Sequence, residues 1–215
     1  MPLDELKLYQ EIISNYDSPL RNDAFDLDDD TKIKMITGHF SSILDILGLD
    51  LQDDSLKGTP QRIAKMYVKE IFSGLNPANK PIPTLFENPY QYNEMLVEKN
   101  IGVFSNCEHH FVPIVGKAHV AYISNGKVIG LSKLNRIVQY FSQRPQVQER
   151  LTIQIAEEIK GIMGTADVAV VIDASHHCVS SRGIRDAGST TITSSYSGKF
   201  KEKDTRNEFL NSIGS

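Results

Sequence analysis

Lys117-Ala-His-Val-Ala-Tyr-Ile-Ser124, followed at once by Asn125-Gly126, decides how the rest of the chain is read. The run is rich in apolar, β-branched and aromatic side chains, which suit a pleated, half-buried surface. Asn-Gly suits a two-residue hairpin turn, because both central positions of that turn take positive φ. The pattern predicts a strand over 117–124 with residues 127–130 returning beside it. Further on, Ser132 opens a helix with Leu134, Ile137, Val138 and Phe141 on one face. Arg144-Pro145 breaks it, and a second helix carries Val147, Leu151, Ile155, Ile159 and Ile162. Residues 166–174 read as a buried strand, 190–196 as another, and 201–213 as a short helix.

Toward the N-terminus the pattern is helical. Leu3, Leu6, Leu8, Tyr9, Ile12 and Ile13 form a loose stripe, and Asp26, Asp28, Asp29 and Asp30 form an acidic patch that favours the start of the next helix. Ile36, Phe40, Ile43, Leu44 and Leu47 share a face of that second helix. Thr59-Pro60 reads as the N-cap and first turn of a third, running to about Phe72 with Gly74 just past its end. Residues 78–100, with Pro81, Pro83 and Pro89, read as a long connection. The expected organisation is an N-terminal helical region over 1–75 and a second domain over 76–215 that carries the strands. The expected class is α+β, an antiparallel sheet with helices on one side.

The 215 residues are 40% hydrophobic, enough for one sizeable core. The formal charge of −4 argues against nucleic acid as a partner, yet a few converging cations suffice for an anionic small molecule. The longest aliphatic run lies within 168–172, too short to cross a membrane. The acidic opening Met-Pro-Leu-Asp-Glu-Leu carries no secretion signal, so a cytoplasmic location is expected. In that setting the two cysteines, Cys107 and Cys178, serve metal binding or catalysis better than a disulfide.

Their neighbours point the same way. Cys107-Glu108-His109-His110 and His176-His177-Cys178 gather both cysteines and four of the six histidines into two short patches. Cys107 and His110 are spaced so that one turn presents sulfur and imidazole to a single ion. Thiolate with imidazole selects zinc over magnesium or calcium. Two thiolates and one imidazole leave a fourth position open for water and catalysis, whereas a second histidine would close the shell into a structural site; the spacing leaves both open.

Cys-Glu-His-His, Gly116-Lys117, the run Gly130-Leu-Ser-Lys-Leu-Asn-Arg-Ile-Val, Arg144-Pro-Gln-Val-Gln-Glu-Arg-Leu-Thr152 and His176-His-Cys-Val-Ser-Ser-Arg-Gly-Ile-Arg185 together closely resemble the GTP cyclohydrolase I family. The resemblance extends over about 55–213 and includes Thr59-Pro-Gln-Arg-Ile-Ala-Lys-Met-Tyr67. It implies the tunnelling fold, in which sheets of several subunits close into a barrel, and a homodecamer with active sites where subunits meet. It implies that Cys107, His110 and Cys178 bind Zn2+, with water or hydroxide in the remaining position. It implies that GTP is attacked at guanine C8, formate is released and 7,8-dihydroneopterin triphosphate is formed, the first step toward folate or other pterins. His109 and His176 resemble the proton-handling residues, work that suits imidazole because its pKa lies near 6.5. Glu149 resembles the residue that reads the guanine edge, with Gln148 adjoining it. Ser132 resembles a ribose contact, and Lys133, Arg136, Arg182 and Arg62 resemble triphosphate contacts.

Two rivals stay in view. Another tunnelling-fold enzyme of pterins or deazapurines would share the architecture, although an all-histidine zinc site or a free nucleophilic cysteine would fit this chain poorly. A non-catalytic nucleotide-binding scaffold with a structural zinc would show a closed ligand shell. The chain has no Gly-x-x-x-x-Gly-Lys-Ser/Thr, Gly-x-Gly-x-x-Gly or His-Glu-x-x-His, which removes P-loop, dinucleotide-binding and common zinc-protease readings.

Overall fold

The computed structural model describes residues 18–214, so the stripe from Leu3 to Ile13 lies outside the described residues. The strand expected at the turn is present as β3, Pro113–Ile123, and it lies at the centre of a five-stranded sheet. From Ala118 to Ile123 no residue is more than 8% exposed, so this stretch is covered on both faces. Its neighbours are β2, Met95–Cys107, and β6, Val168–His176; β7, Thr191–Tyr196, pairs on the far side of β6. These pairings are all antiparallel. A two-residue strand β5, Pro145–Gln146, joins β2 in parallel at Cys107.

The chain turns at Asn125-Gly126, with the Ser124 hydroxyl donating to Lys127 O at 2.7 Å, but of the two central residues only Gly126 takes positive φ (87°), so the expected two-residue hairpin turn is not formed. The returning strand differs from expectation. β4, Lys127–Ile129, pairs with β1, Leu85–Glu87, in a separate two-stranded sheet instead of folding back on β3. The segment read as a connection therefore contains β1 and the first half of β2. Alternation fails there because β2 is bulged between Glu98 and Ile101, with Asn100 at φ 61°.

Two helices, α3 at Leu131–Ser142 and α4 at Gln148–Met163, cover one face of the sheet. Leu134, Ile137, Val138 and Phe141 of α3 and Leu151, Ile155 and Ile159 of α4 are buried, as the periodicity predicts. They pack on Val103, Ala118, Val120, Tyr122, Val170 and Ile172. Helices are not confined to that face. Phe209 of the last helix, α6 at Lys203–Ile213, packs with Phe200 on Ala121, Ile123, Ala169 and Val171, which point the other way. Coverage on both sides is why 168–172 reads as an unbroken apolar run.

The N-terminal helices are α1, Asp29–Ile46, and α2, Thr59–Met66. Asp28 caps α1, its carboxylate accepting from Thr31 N at 2.7 Å, so the acidic patch does start this helix. Gly58, not Thr59, is the N-cap of α2; Thr59 is already helical, with its hydroxyl accepting from Arg62. The expected single helix to Phe72 widens into a π-turn over Tyr67–Ile71. No residue of α1 is buried, and Ile43, Ile46 and Leu47 remain exposed.

Gly116 sets how closely β3 and β6 approach. A Cβ there would lie 2.1 Å from Asp173 O and 2.4 Å from Ala174 Cα, backbone that has no room to yield. Gly116→Ala is expected to cost roughly 3 kcal/mol or to prevent folding. Gly126→Asn, in an open left-handed turn, is expected to stay within about 0.5 kcal/mol. Thermal unfolding of the two variants checks this; a Gly116→Ala protein melting with the parent would refute the close-approach reading.

Candidate metal centre and active site

Antiparallel order brings the end of β2, the start of β3 and the end of β6 to one edge of the sheet. Cys107 ends β2, His176 ends β6 opposite Ile114, and the short helical turn α5, His177–Ser180, carries Cys178 back toward Cys107. One ligand atom each from Cys107, His110 and Cys178 lie within 4.8 Å of one another. A tetrahedral zinc ion with bonds of about 2.0–2.3 Å holds its donors under about 4 Å apart, so small side-chain rotations close this set on an ion. Burial pushes the Cys178 thiol up most and the neighbouring Cys107 adds to it; a cation between the two sulfurs would remove that second, repulsive contribution.

The loop between Cys107 and β3 is tied at several points. Cys107 N donates to Val112 O and Phe111 N to Cys107 O, both at 2.8 Å, while Asn106 Nδ2 donates to Phe111 O at 3.3 Å. Phe111 takes φ 52°, a left-handed conformation that a bulky residue adopts only when its surroundings hold it there. Its ring meets Phe72 edge-on at 5.3 Å. His110 Nε2 lies 3.0 Å from Arg182 Nη1. Since arginine only donates, His110 Nε2 is the acceptor in that contact. His109 Nδ1 lies 3.8 Å from Cys107 Sγ.

His176 is held differently. Its Nε2 lies 2.7 Å from Gln148 Oε1. The Gln148 amide nitrogen faces Ile172 O at 3.1 Å, Thr191 O at 2.8 Å and Thr193 Oγ1 at 3.1 Å, so its oxygen is turned to the histidine. An amide oxygen accepts, so His176 carries its proton on Nε2. Burial lowers the His176 pKa, and the carboxylate of Glu149, exposed in the first turn of α4, partly offsets this. Gln148, expected among the substrate contacts, is only 1% exposed with its amide engaged inside the protein.

Thus Cys107, His110, Cys178, His109, Arg182, His176, Gln148 and Glu149 gather at one edge. Ser132, Lys133 and Arg136 lie on the first half of α3 and Arg62 on α2, where it donates to Ser55 O and Thr59 Oγ1. Among the described residues, no hydrogen bond or ion pair joins these four to the cluster.

The family model for GTP cyclohydrolase I matches residues 36–214. The chain belongs to the GTP cyclohydrolase I family. Over 200 residues it is 62% identical to GTP cyclohydrolase 1 of Flavobacterium johnsoniae, covering 93% of this chain and 90% of that one. It is 56% identical over 198 residues to the GTP cyclohydrolase 1 proteins of Erwinia tasmaniensis and of Escherichia coli O1:K1, covering 92% of this chain and 90% and 89% of theirs. Family membership decides against the two rival readings. No helix among the described residues is long and apolar enough to cross a membrane.

Pattern alone missed the polar framework around these residues. Glu108 pairs with Arg150, which also reaches Gln146, and Thr193 helps to orient Gln148. The available signal was a glutamate inside the Cys-Glu-His-His quartet itself. If the three ligands share one ion, Cys178→Ala purifies with its zinc content reduced from near stoichiometric to near none, measured by elemental analysis. Retained stoichiometric zinc would remove Cys178 from the set.

Proposed function

We propose that the chain hydrolyses GTP at guanine C8, releases formate and forms 7,8-dihydroneopterin triphosphate. Two waters are consumed and one is released on ring closure. The observation that supports this most is the convergence of two thiols and one imidazole beside two further histidines, in a chain of this family. Zinc, held by Cys107, His110 and Cys178, supplies Lewis-acid activation of water near neutral pH.

The chain's own groups do the rest. Glu149 accepts from guanine N1–H and the 2-amino group, a pair of donors that adenine lacks. With Nε2–H of His176 committed to Gln148, Nδ1 is the position left to exchange a proton with N7, and protonation there makes C8 more electrophilic. In this reading Gln148 orients the histidine and does not bind substrate. His109 is the second proton carrier as the ring opens. Arg182, Lys133, Arg136 and Arg62 hold the triphosphate, and Ser132 the ribose.

Among the described residues no hydrogen bond or ion pair joins the cations of α2 and α3 to the metal cluster; in this reading a neighbouring subunit brings them to it, in a homodecamer with active sites between subunits and a barrel closed by several sheets. The exposed Ile43 and Ile46 of α1, Leu47 just past its end, and Phe104 and Ile192 on the sheet are apolar surfaces that such assembly covers. With the division placed between residues 75 and 76, α1 and α2 belong to a helical region joined to a catalytic domain, in the cytoplasm.

Incubating the zinc-loaded protein with GTP while following formate and pterin absorbance tests this reading. Both rise together if it holds; zinc-loaded oligomer yielding neither product refutes it. His176→Ala is expected to keep zinc and slow formate release by about 100-fold or more. Glu149→Gln is expected to narrow the preference for GTP over ITP, which lacks the 2-amino group, and unchanged preference would dismiss Glu149 as the reader of guanine.

A further inference from the structure

The Glu108–Arg150 pair ties together three segments that the reaction needs in register. Glu108 lies between the ligand Cys107 and His109, and Arg150 lies one residue beyond Glu149 on the first turn of α4. Arg150 Nη2 contacts the Glu108 carboxylate and donates to Pro145 O at 3.0 Å, while its Nε donates to Gln146 Oε1 at 3.0 Å. Gln146 is fully buried. Its amide nitrogen donates to Phe141 O at 2.8 Å, near the end of α3, and to Gln154 Oε1 at 2.7 Å, while its backbone oxygen accepts from Glu108 N at 3.0 Å. The β2–β5 pairing places Cys107 directly opposite Gln146. The side chains of Arg150 and Glu108 are 15% and 25% exposed, so solvent screens the pair only in part.

We propose that Arg150 is a positioning residue: through Glu108 and Gln146 it fixes the metal-binding loop at a set distance from the helix turn that carries Glu149. Arginine suits this task because its planar fork serves a carboxylate, an amide oxygen and a backbone carbonyl at once, which a lysine point charge does not. A solvated helix arginine would make none of these bonds. Another ion pair on the same helix shows the contrast: Lys160 and Glu157, 2.5 Å apart at the distal end of α4, bind neither the loop nor Gln146. The inference rests on the proposed cyclohydrolase reading of this site.

The test uses the full-length oligomer with Glu108→Gln, Arg150→Met, Arg150→Lys, the double variant Glu108→Gln/Arg150→Met, and Lys160→Met. Zinc affinity is read by competition with a chelator, kcat and KM from formate release, and melting temperature alongside. Arg150→Met is expected to weaken zinc binding by about 10- to 100-fold, the usual effect of losing a group that orients a ligand. After reloading with excess zinc it is expected to lower kcat by about 10-fold or more, with KM for GTP changing less. Arg150→Lys recovers part of the loss, the double variant is no worse than the poorer single one, and Lys160→Met matches the parent. Glu108→Gln, nearly isosteric, keeps the question answerable if Arg150→Met folds poorly. Parental zinc affinity and kcat in Glu108→Gln and Arg150→Met would overturn the proposal, as would independent, additive effects of the pair. A parent protein that binds no zinc or releases no formate would instead refute the cyclohydrolase reading, so the two failures are distinguishable.

Discussion

Backbone pairing between β2, β3 and β6 is the constraint on which the rest of the molecule depends. Antiparallel register turns two distant Cys/His patches into neighbours, because two strands flanking a common antiparallel partner run in the same direction and end at the same edge. The pairing is held by apolar contact on both faces, α3 and α4 on one and α6 on the other. Gly116 lets β3 and β6 approach closely enough for it to form. A shift of one residue in either ladder would send core side chains to the wrong face, so hydrophobic burial specifies the metal site's geometry as well as the fold.

Around that edge, rigidity and openness are divided. Cys107 is buried and His176 is clamped by a buried glutamine, whereas Glu149, Arg182 and His110 are exposed. Cys107 and His176 gain fixed directions from their buried surroundings, while the candidate ligand His110 and the proton carrier His109 lie exposed beside the substrate-facing groups. Groups that meet a charged substrate need access to solvent. The left-handed Phe111 stores local strain next to the ligands, offset by ring packing on Phe72 and by hydrogen bonds from its neighbours.

Legibility in the sequence followed the range of the interaction concerned. Periodicity located α3, α4 and the core of β6, since burial on one or both faces is written in local pattern. The Cys and His patches were legible because those residues have few other reasons to cluster. The first half of β2 was not, because a bulge at Glu98 to Ile101 breaks alternation. The pairing of β4 with β1 was not, because each strand has three residues and the choice of partner is purely tertiary. Gln146, Gln148 and Arg150 look like ordinary polar helix-start residues, and only the folded chain shows what their hydrogen bonds reach.

The central claim is that the ends of β2 and β6 grip one metal ion. Zinc-edge X-ray absorption of the purified oligomer, with Cys178→Ser beside it, tests this most directly. The account requires two sulfur scatterers at about 2.3 Å and two lighter ones in the parent, falling to one sulfur in the variant. A parent shell with one sulfur or none, or an unchanged sulfur count in Cys178→Ser, would contradict it.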